Sequence, residues 1–171
     1  MKKLLILGAG GYGRTVYELA QQLGEFDKIG FLDDRSTGAN ILGACTEFAM
    51  FADENTWMYP AFGNNELRRR WMERLEEEQI CVPTLIHPRA YVSPSAIIGE
   101  GVVVLAMAAV STGCRIENGC IVNLGALVDH DVVMECCSHV APGGIVKAEN
   151  RIPPGLKVES GEVIQNRTYP L

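Results

Sequence analysis

The strongest chemical signal in this sequence is a histidine that lies between two aspartates, in the order Asp129-His130-Asp131. A carboxylate beside an imidazole holds the ring in one tautomer and makes it more basic. Such an imidazole suits a general base that removes a proton from a substrate nucleophile. From these residues alone, an ordinary surface histidine remains the alternative.

A second histidine, His139, precedes the turn Pro142-Gly143-Gly144. The backbone N–H groups of Gly143 and Gly144 could stabilise an oxygen that becomes negative during acyl transfer. The only other histidine, His87, stands before a proline, where a structural role is favoured. Zinc can be held by three histidines, but these three positions do not resemble such a site, and we predict no metal.

A glycine-rich turn near the N-terminus carries the pattern G-x-G-x-x-G at Gly8, Gly10 and Gly13. It joins a predicted strand at 3–7 to a predicted helix at 13–23. Glycines let the backbone approach a pyrophosphate, and a helix N-terminus supplies N–H donors. The candidate phosphate-binding residues are Gly10, Gly11, Tyr12, Gly13 and Arg14. A tight turn without a ligand is the alternative.

Two further candidate sites follow predicted strands. Asp33-Asp34 ends a strand at 28–32, where an acid can accept hydrogen bonds from ribose hydroxyls or a base. Gly63-Asn64-Asn65 ends a strand candidate at 56–62, and open α/β sheets bind ligands at the carboxyl ends of their strands. A plain helix cap is the alternative there. The segment is too short for the two halves of a full dinucleotide fold, which argues against NAD.

The remaining elements of the first half are less distinctive. We predict a loop at 41–43, a short helix within 48–53 and a helix at 66–79. The apolar face of that last helix would carry Leu67, Trp71 and Leu75, and its charged residues would lie in solvent. Weak boundary signals place the domain border near residue 80, which gives domains of 1–80 and 81–171.

The second half is organised by a six-residue repeat. One aliphatic residue recurs in every block of six without an insertion, 14 times in succession: Ile86, Val92, Ile98, Val104, Val110, Ile116, Val122, Val128, Met134, Val140, Val146, Ile152, Val158 and Ile164. This period fits neither a helix nor an alternating strand. It is typical of a β-helix solenoid, in which three sides close a triangular coil of 18 residues around the aliphatic side chains.

Small residues stand four positions after most of the early aliphatics, where the interior of the prism would be tight. They are Ala90, Ala96, Ala108, Cys114, Cys120, Ala126, Ser138 and Gly144. We therefore predict that two of the six cysteines, Cys114 and Cys120, lie in the core of the coil. The pattern then ends, with Asn150, Leu156 and Glu162 at the same position. By the same register, we expect His130 and His139 to point outward.

Composition excludes several classes of partner. A net charge of −6 gives no reason to expect nucleic acid or a membrane surface. The apolar run at 3–7 is too short for a signal peptide, and no apolar stretch is long enough to span a membrane. Six cysteines without a metal-type Cys-x-x-Cys pair fit reduced thiols in a cytoplasm.

In combination, these motifs resemble the sugar acyltransferases typified by PglD and NeuD. The matching segments are 8–14, 30–34, 63–68, 123–131 and 138–143. The resemblance implies an α/β plus β-solenoid architecture. A small Rossmann-like nucleotide-sugar domain is followed by a left-handed parallel β-helix of hexapeptide repeats. It also implies a homotrimer that uses acetyl-CoA.

The resemblance implies roles for individual residues. His130 would be the general base, Asp131 its partner (often Glu in the family), and Asn123 would contact the acceptor. His139, Gly143 and Gly144 would lie near acetyl-CoA. Asp33 and Asp34, with the glycine loop, would hold a nucleotide-linked amino sugar. Transfer would be direct, without an acyl-enzyme, so that no cysteine need be catalytic.

Three functions follow from the resemblance. The first is N-acetylation of the 4-amino group of a nucleotide-linked sugar, which the glycine loop and the acidic pair favour because they suggest a bound nucleotide. The second is O-acetylation of a sialic-acid-type sugar. The third is a trimeric nucleotide-sugar-binding protein with a defective CoA groove, favoured by the lost small-residue pattern after Gly144.

Overall fold

A computed structural model describes residues 1–171 and divides them into two compact units, residues 1–83 and 84–171. The sequence placed the border near residue 80. Cys81 belongs to the first unit because its carbonyl accepts the N–H of Met58 at 3.0 Å. The coil begins at Thr84, whose hydroxyl donates to the carbonyl of Gly99 at 2.8 Å.

The first unit contains a four-stranded parallel sheet in the order β3-β2-β1-β4. The strands are β1 (Lys3–Leu7), β2 (Lys28–Leu32), β3 (Ile41–Gly43) and β4 (Thr56–Pro60). The predicted loop at 41–43 is therefore wrong, because these residues pair with β2 and form an edge strand. A 3-10 helix, Cys45–Phe51, follows it.

Two α-helices complete the first unit, α1 (Gly11–Leu23) and α2 (Asn65–Glu77). The first ends at Gly24, whose left-handed backbone (φ 65°) closes the last turn. In the second, the expected apolar face is shifted, because Arg68 and Leu75 are buried while Leu67 is 40% exposed. Arg68 and Leu75 are seven residues apart, or about two helical turns, and so share one face.

The second unit is a left-handed parallel β-helix with three stacked sheets. One holds β5 (Leu85–Ile86), β8 (Val103–Val104), β11 (Ile121–Val122), β14 (His139–Val140) and β17 (Lys157–Val158). The next holds β6 (Tyr91–Val92), β9 (Ala109–Val110), β12 (Leu127–Val128), β15 (Ile145–Val146) and β18 (Val163–Ile164). The third holds β7 (Ile97–Ile98), β10 (Arg115–Ile116), β13 (Val133–Met134) and β16 (Arg151–Ile152).

The repeat predicted from the sequence sets the register of this unit. Each of the 14 aliphatics is the second residue of one two-residue strand. Paired residues such as Val122 and Val140 stand one coil of 18 residues apart. Eleven of these aliphatics are buried in one continuous core, and the three nearest the start of the coil are partly buried. Because consecutive residues of a strand face opposite sides, the first residue of each strand lies on the outer face.

The interior position occupied by Asn150 is not a defect in the coil. Its amide nitrogen donates to the carbonyls of Lys147 at 2.7 Å and Gln165 at 2.8 Å, and its oxygen accepts the N–H of Tyr169 at 2.9 Å. Asn150 is wholly buried and forms an antiparallel bridge with Pro170. A polar side chain thus ties the last residues across the final coil. None of the helices is both long and apolar enough to cross a membrane.

Candidate active site

The candidate nucleotide site of the first unit lies at the carboxyl ends of β1 and β4. The chain leaves β1 toward β2 on one side, while β4 pairs with β1 on the other side. This is a topological switch point, where open α/β sheets form a ligand crevice. The glycine loop follows β1, and Gly63-Asn64-Asn65 follows β4, so both predicted segments reach this edge.

The glycine loop has the conformation that its sequence requires. Gly8 adopts φ +98°, a backbone state that side chains disfavour. A Cβ on Gly13 would collide with the carbonyl oxygen of Gly8. Around Gly10 and Gly11 a Cβ would meet nothing within 4 Å, so these positions are open. The first turn of α1 has no side-chain cap, and the N–H groups of a first helical turn have no partner within their helix.

Asp33 connects the end of β2 to the glycine loop. One carboxylate oxygen accepts the N–H of Ala9 at 2.7 Å, and the other accepts those of Arg35 at 2.9 Å and Ser36 at 2.6 Å. Partial burial alone would raise the pKa of Asp33, but these donors outweigh it and lower the pKa to about 2. Asp33 therefore shapes the loop. Its exposed neighbour Asp34 accepts the N–H of Cys45 at 2.9 Å.

Two polar contacts of the first unit, one between Tyr12 and Tyr59 and one made by Arg68, were not predicted from the sequence. The hydroxyls of Tyr12 and Tyr59 lie 2.7 Å apart, and burial raises the pKa of Tyr12 well above its usual value. Arg68, predicted to lie in solvent, is wholly buried and donates to the carbonyl of Phe62 at 2.9 Å. The sequence feature that indicates this burial is the spacing of seven residues between Arg68 and Leu75, which places Arg68 on the apolar face of α2.

The turn Gly63-Asn64-Asn65 caps α2. The side-chain oxygen of Asn64 accepts the N–H of Leu67 at 2.8 Å, which is the usual role of an N-cap residue. The alternative weighed for this segment, a helix cap, is therefore correct for Asn64. Near the start of α1, Arg14 is exposed and donates to the carbonyl of Ala9 at 3.3 Å, which places a cation beside the glycine loop.

The candidate base of the second unit, His130, lies at the corner after β12. Its Nδ1 stands 2.8 Å from Oδ2 of Asp131, and the two side chains are 48% and 57% exposed. Asp129 instead accepts the backbone N–H of His130 at 2.7 Å. The predicted outward position of His130 is confirmed, and Asp131 is the carboxylate that orients its ring.

The charges around His130 favour its protonated form. The hydrogen bond to Asp131 raises the pKa of His130 most, and the negative charges of Asp129, Asp131 and Glu149 raise it further. With Nδ1–H donated to Asp131, the neutral ring keeps Nε2 as a proton acceptor. The pair therefore has the composition and geometry of a general base with its orienting carboxylate.

Asn123 and His139 form a second polar pair, at the corner before β12. The amide nitrogen of Asn123 lies 3.0 Å from Nε2 of His139, and the amide oxygen of Asn123 accepts the N–H of Leu124 at 2.8 Å. His139 is on the outer face of β14 yet only 7% exposed. The two pairs thus lie at successive corners of one coil, on either side of β12.

The predicted oxyanion role of two backbone N–H groups is wrong. The N–H of Gly143 donates to the carbonyl of Leu124 at 2.9 Å, and that of Gly144 donates to the carbonyl of Ala141 at 2.9 Å. Both donors are therefore engaged, that of Gly143 with the preceding coil and that of Gly144 within its own turn. Any contact of these two glycines with acetyl-CoA would therefore be a van der Waals contact and not a hydrogen bond from their N–H groups.

Two cysteines of the coil, Cys114 and Cys120, are structural. Cys114 and Cys120 belong to the buried core, as predicted, and their thiols donate to the carbonyls of Asp129 and Glu135. Burial raises the pKa of Cys114, which keeps this thiol protonated and unreactive. No group of three or more His, Cys, Asp or Glu side chains is arranged to hold a metal ion.

Residues 3–75 match the family model described as the PglD N-terminal domain. A curated relative, UDP-N-acetylbacillosamine N-acetyltransferase of Bacillus subtilis, is 35% identical over 116 residues. That alignment covers 62% of this chain but 52% of the relative, so the chain matches about half of that relative's length.

Solved structures extend the similarity to both units. The acetyltransferase domain of PglB from Neisseria gonorrhoeae is 38% identical, with a TM-score of 0.95 over 98% of this chain and 84% of that one. The same domain has also been solved with acetyl coenzyme A (TM-score 0.94, 97% and 83% covered). A variant of perosamine N-acetyltransferase from Caulobacter crescentus, in complex with CoA and GDP-perosamine, is 28% identical, with a TM-score of 0.83 over 88% and 74%.

Proposed function

Because the chain belongs to the PglD-type family of sugar acyltransferases, we propose that it transfers the acetyl group of acetyl-CoA to the 4-amino group of a nucleotide-linked sugar. The observation that carries this proposal is the His130–Asp131 pair, exposed at a coil corner with Nδ1 and Oδ2 2.8 Å apart. The relatives support the choice of substrates, since one is solved with acetyl coenzyme A and another with CoA and GDP-perosamine.

In the proposed reaction, Nε2 of His130 removes a proton from the sugar amine as its nitrogen attacks the thioester carbonyl. The carbon–sulfur bond then breaks, and the proton on His130 passes to the departing CoA sulfur. The products are an N-acetyl sugar and CoA. Asp131 stabilises the imidazolium that forms between these steps. In this proposal no thiol carries the acetyl group, and transfer is direct.

The first unit would hold the nucleotide part of the acceptor. N–H groups of the first turn of α1 and the guanidinium of Arg14 offer donors to a diphosphate at the open positions Gly10 and Gly11. Asp34 is exposed and retains acceptor capacity for ribose or base. Tyr12, Asp33 and Asn64 were also predicted to contact the nucleotide. We assign them a mainly structural role, because their side chains already form hydrogen bonds within the unit.

A homotrimer is part of the proposal. The outer face of the sheet that contains β12 carries an apolar stripe in which Tyr91 is 59%, Leu127 43% and Val163 39% exposed. Ala109 and Ile145 complete the stripe. This face lies between the His130 corner and the Asn123–His139 corner. Burying it against second and third copies would bring the His130 corner of one copy toward the Asn123 corner of its neighbour.

Light scattering on Leu127→Glu tests the assembly. We expect this charge to reduce a trimeric mass toward the monomer, while Ile97→Glu, a matched change at an exposed aliphatic (60%) on a different sheet, keeps the trimer. A monomeric wild-type protein would refute the assembly. We place the protein in the cytoplasm, the compartment that supplies acetyl-CoA and keeps the six free cysteines reduced.

A thiol-release assay tests the activity. Purified protein is mixed with acetyl-CoA and either UDP- or GDP-linked 4-amino sugars, and free CoA is titrated over time. We expect release that depends on the amino sugar, together with an N-acetyl product by mass spectrometry. Acetylated protein formed from acetyl-CoA alone would contradict direct transfer. Nucleotide-sugar binding without release across the panel would instead favour the impaired binding protein.

The O-acetyltransferase remains the second candidate. The same base could deprotonate a hydroxyl, and only the identity of the acceptor separates the two reactions. A sialic-acid-type sugar offered without a nucleotide is the discriminating substrate. Release with this sugar, and none with the nucleotide-linked amines, would replace the first proposal by the second.

A further inference from the structure

Four residues with the same unusual backbone conformation stack along the corner of the coil that carries His130. They are Gly113, Asp131, Glu149 and Arg167, each 18 residues from the next, with φ values of +70°, +57°, +59° and +56°. Three of the four carry side chains, so this corner tolerates a side chain in the left-handed conformation. Backbone conformation alone therefore does not explain the glycine at 113.

The space above Gly113 is filled by the carboxylate of Asp131. A Cβ built on Gly113 would collide with Oδ1 of Asp131 and lie 3.4 Å from its Cγ. The other carboxylate oxygen, Oδ2, bonds His130 at 2.8 Å. The position of the carboxylate that orients the base thus depends on a missing side chain one coil earlier.

We propose that Gly113 is a positioning residue for the His130–Asp131 pair, because only a residue without a side chain lets the Asp131 carboxylate lie over the preceding coil and meet the imidazole. This inference rests on the proposed function for its catalytic meaning. Its structural content, the orientation of His130, does not depend on that function.

A methyl group at 113 would displace the carboxylate rather than the coil. The atom that it meets is the end of a side chain that is 57% exposed and free to turn into solvent. The backbone contacts of this corner would remain, since the N–H of Asp131 donates to the carbonyl of Thr112 at 3.0 Å and that of Gly113 donates to Ser95 Oγ at 3.2 Å. The chain should therefore fold, with His130 left without its partner.

Two readouts on Gly113→Ala test the proposal. The first is the pKa of His130 by NMR titration, which is simple to assign because the chain has three histidines. We expect the pKa of His130 to fall toward its value in Asp131→Ala. That variant lacks the Asp131 charge and hydrogen bond but keeps Asp129 and Glu149. The second is kcat/KM for acetyl transfer, which should fall about 10- to 100-fold through misorientation of the base.

Gly155→Ala is the matched control. Gly155 has φ +67° at another corner, and a Cβ there would meet nothing within 4 Å. It carries the same cost of alanine in a left-handed conformation without the collision, so we expect a wild-type His130 pKa and activity. An equal loss in both variants would overturn the proposal, as would an unchanged His130 pKa in Gly113→Ala.

A double variant tests whether Gly113 acts through Asp131. If it does, Gly113→Ala should lower neither the pKa of His130 nor kcat/KM any further in the Asp131→Ala background, where the colliding carboxylate is absent. Additive losses would overturn the proposal. Should the single variant fail to fold, folding of the double variant supports the collision, and its failure refutes it. The titration decides the matter even if the protein acetylates none of the sugars tested.

Discussion

Two glycines, one in each unit, show how one residue type can serve different ends. At Gly13 an added Cβ would collide with a backbone carbonyl, that of Gly8, whereas at Gly113 it would collide with the end of the Asp131 side chain. A carbonyl in a strand-to-helix turn cannot move without distorting the turn, but an exposed carboxylate can. We therefore expect the first glycine to be required for folding and the second for the geometry of the proposed base.

This contrast extends to the two candidate sites. The candidate nucleotide site of the first unit is made largely of backbone N–H groups and of side chains already engaged in the fold. The site of the second unit consists of side chains projecting from a repetitive coil whose core lies elsewhere. Substitutions in the first site should therefore change stability and binding together, while those in the second should separate activity from stability.

The largest separation is expected at His130. Its replacement by alanine should lower kcat/KM by about 100- to 10,000-fold, the usual contribution of a general base, with an unchanged melting temperature because the side chain is half exposed. Steady-state CoA release and thermal unfolding measure the two quantities. His87→Ala, in the same unit but outside the proposed site, is the control. CoA release that persists in His130→Ala would show that another group acts as the base.

Gly13→Ala should instead destabilise the first unit, by about 3 kcal/mol or more, because backbone must move to relieve the collision. Both tryptophans, Trp57 and Trp71, belong to this unit, so tryptophan fluorescence in urea reports its unfolding selectively. Gly11→Ala lies in the same helix with open space around it and should be neutral or slightly stabilising. Equal stability of Gly13→Ala and Gly11→Ala would show that Gly13 is not required for folding, and its contrast with Gly113 would be lost.

Asn150→Leu tests whether the end of the coil depends on a polar side chain. The loss of four hydrogen bonds to main-chain groups, one of them long, should cost about 2–4 kcal/mol. Hydrogen exchange at the N–H of Arg151, which donates to the carbonyl of Tyr169, should accelerate. A leucine that stabilised this coil would show that an ordinary apolar layer suffices there.

A pH dependence should distinguish Asp33 from an ordinary acid. Its pKa in the folded protein is about 2, below the usual 3.8, so the carboxylate stabilises the fold above about pH 4 and loses this effect as pH falls toward 2. We expect Asp33→Asn to cost about 1–2 kcal/mol at pH 7 and progressively less below pH 4. A cost independent of pH would mean that charge is not what Asp33 supplies.

The smallest effect is expected at Cys120. Alanine there should cost about 1 kcal/mol through lost packing of a buried thiol. We expect kcat/KM to stay unchanged, because no thiol takes part in the proposed direct transfer. Ser138, whose hydroxyl lies 3.4 Å from the Cys120 thiol, offers a neighbouring control in Ser138→Ala. A large loss of activity with normal stability in Cys120→Ala would indicate that the acetyl group passes through an acyl-enzyme on this cysteine.

Much of this protein was determined by sequence alone, because its information is local and repeated. One aliphatic every six residues sets the coil length, strand positions and register, and the glycine pattern between a strand and a helix sets the loop. The pairing of His130 with Asp131 could also be predicted, since the two are adjacent in the chain.

Tertiary structure decided what depends on residues far apart in the chain. Whether the N–H of Gly143 is free depends on the coil beside it, so its engagement with Leu124 could not be read from the local sequence. The burial of His139 and the contacts of Asn150 with the last residues likewise depend on segments distant in sequence. The room above Gly113 is set by a side chain one full coil later, and only the stacking of coils brings the two together.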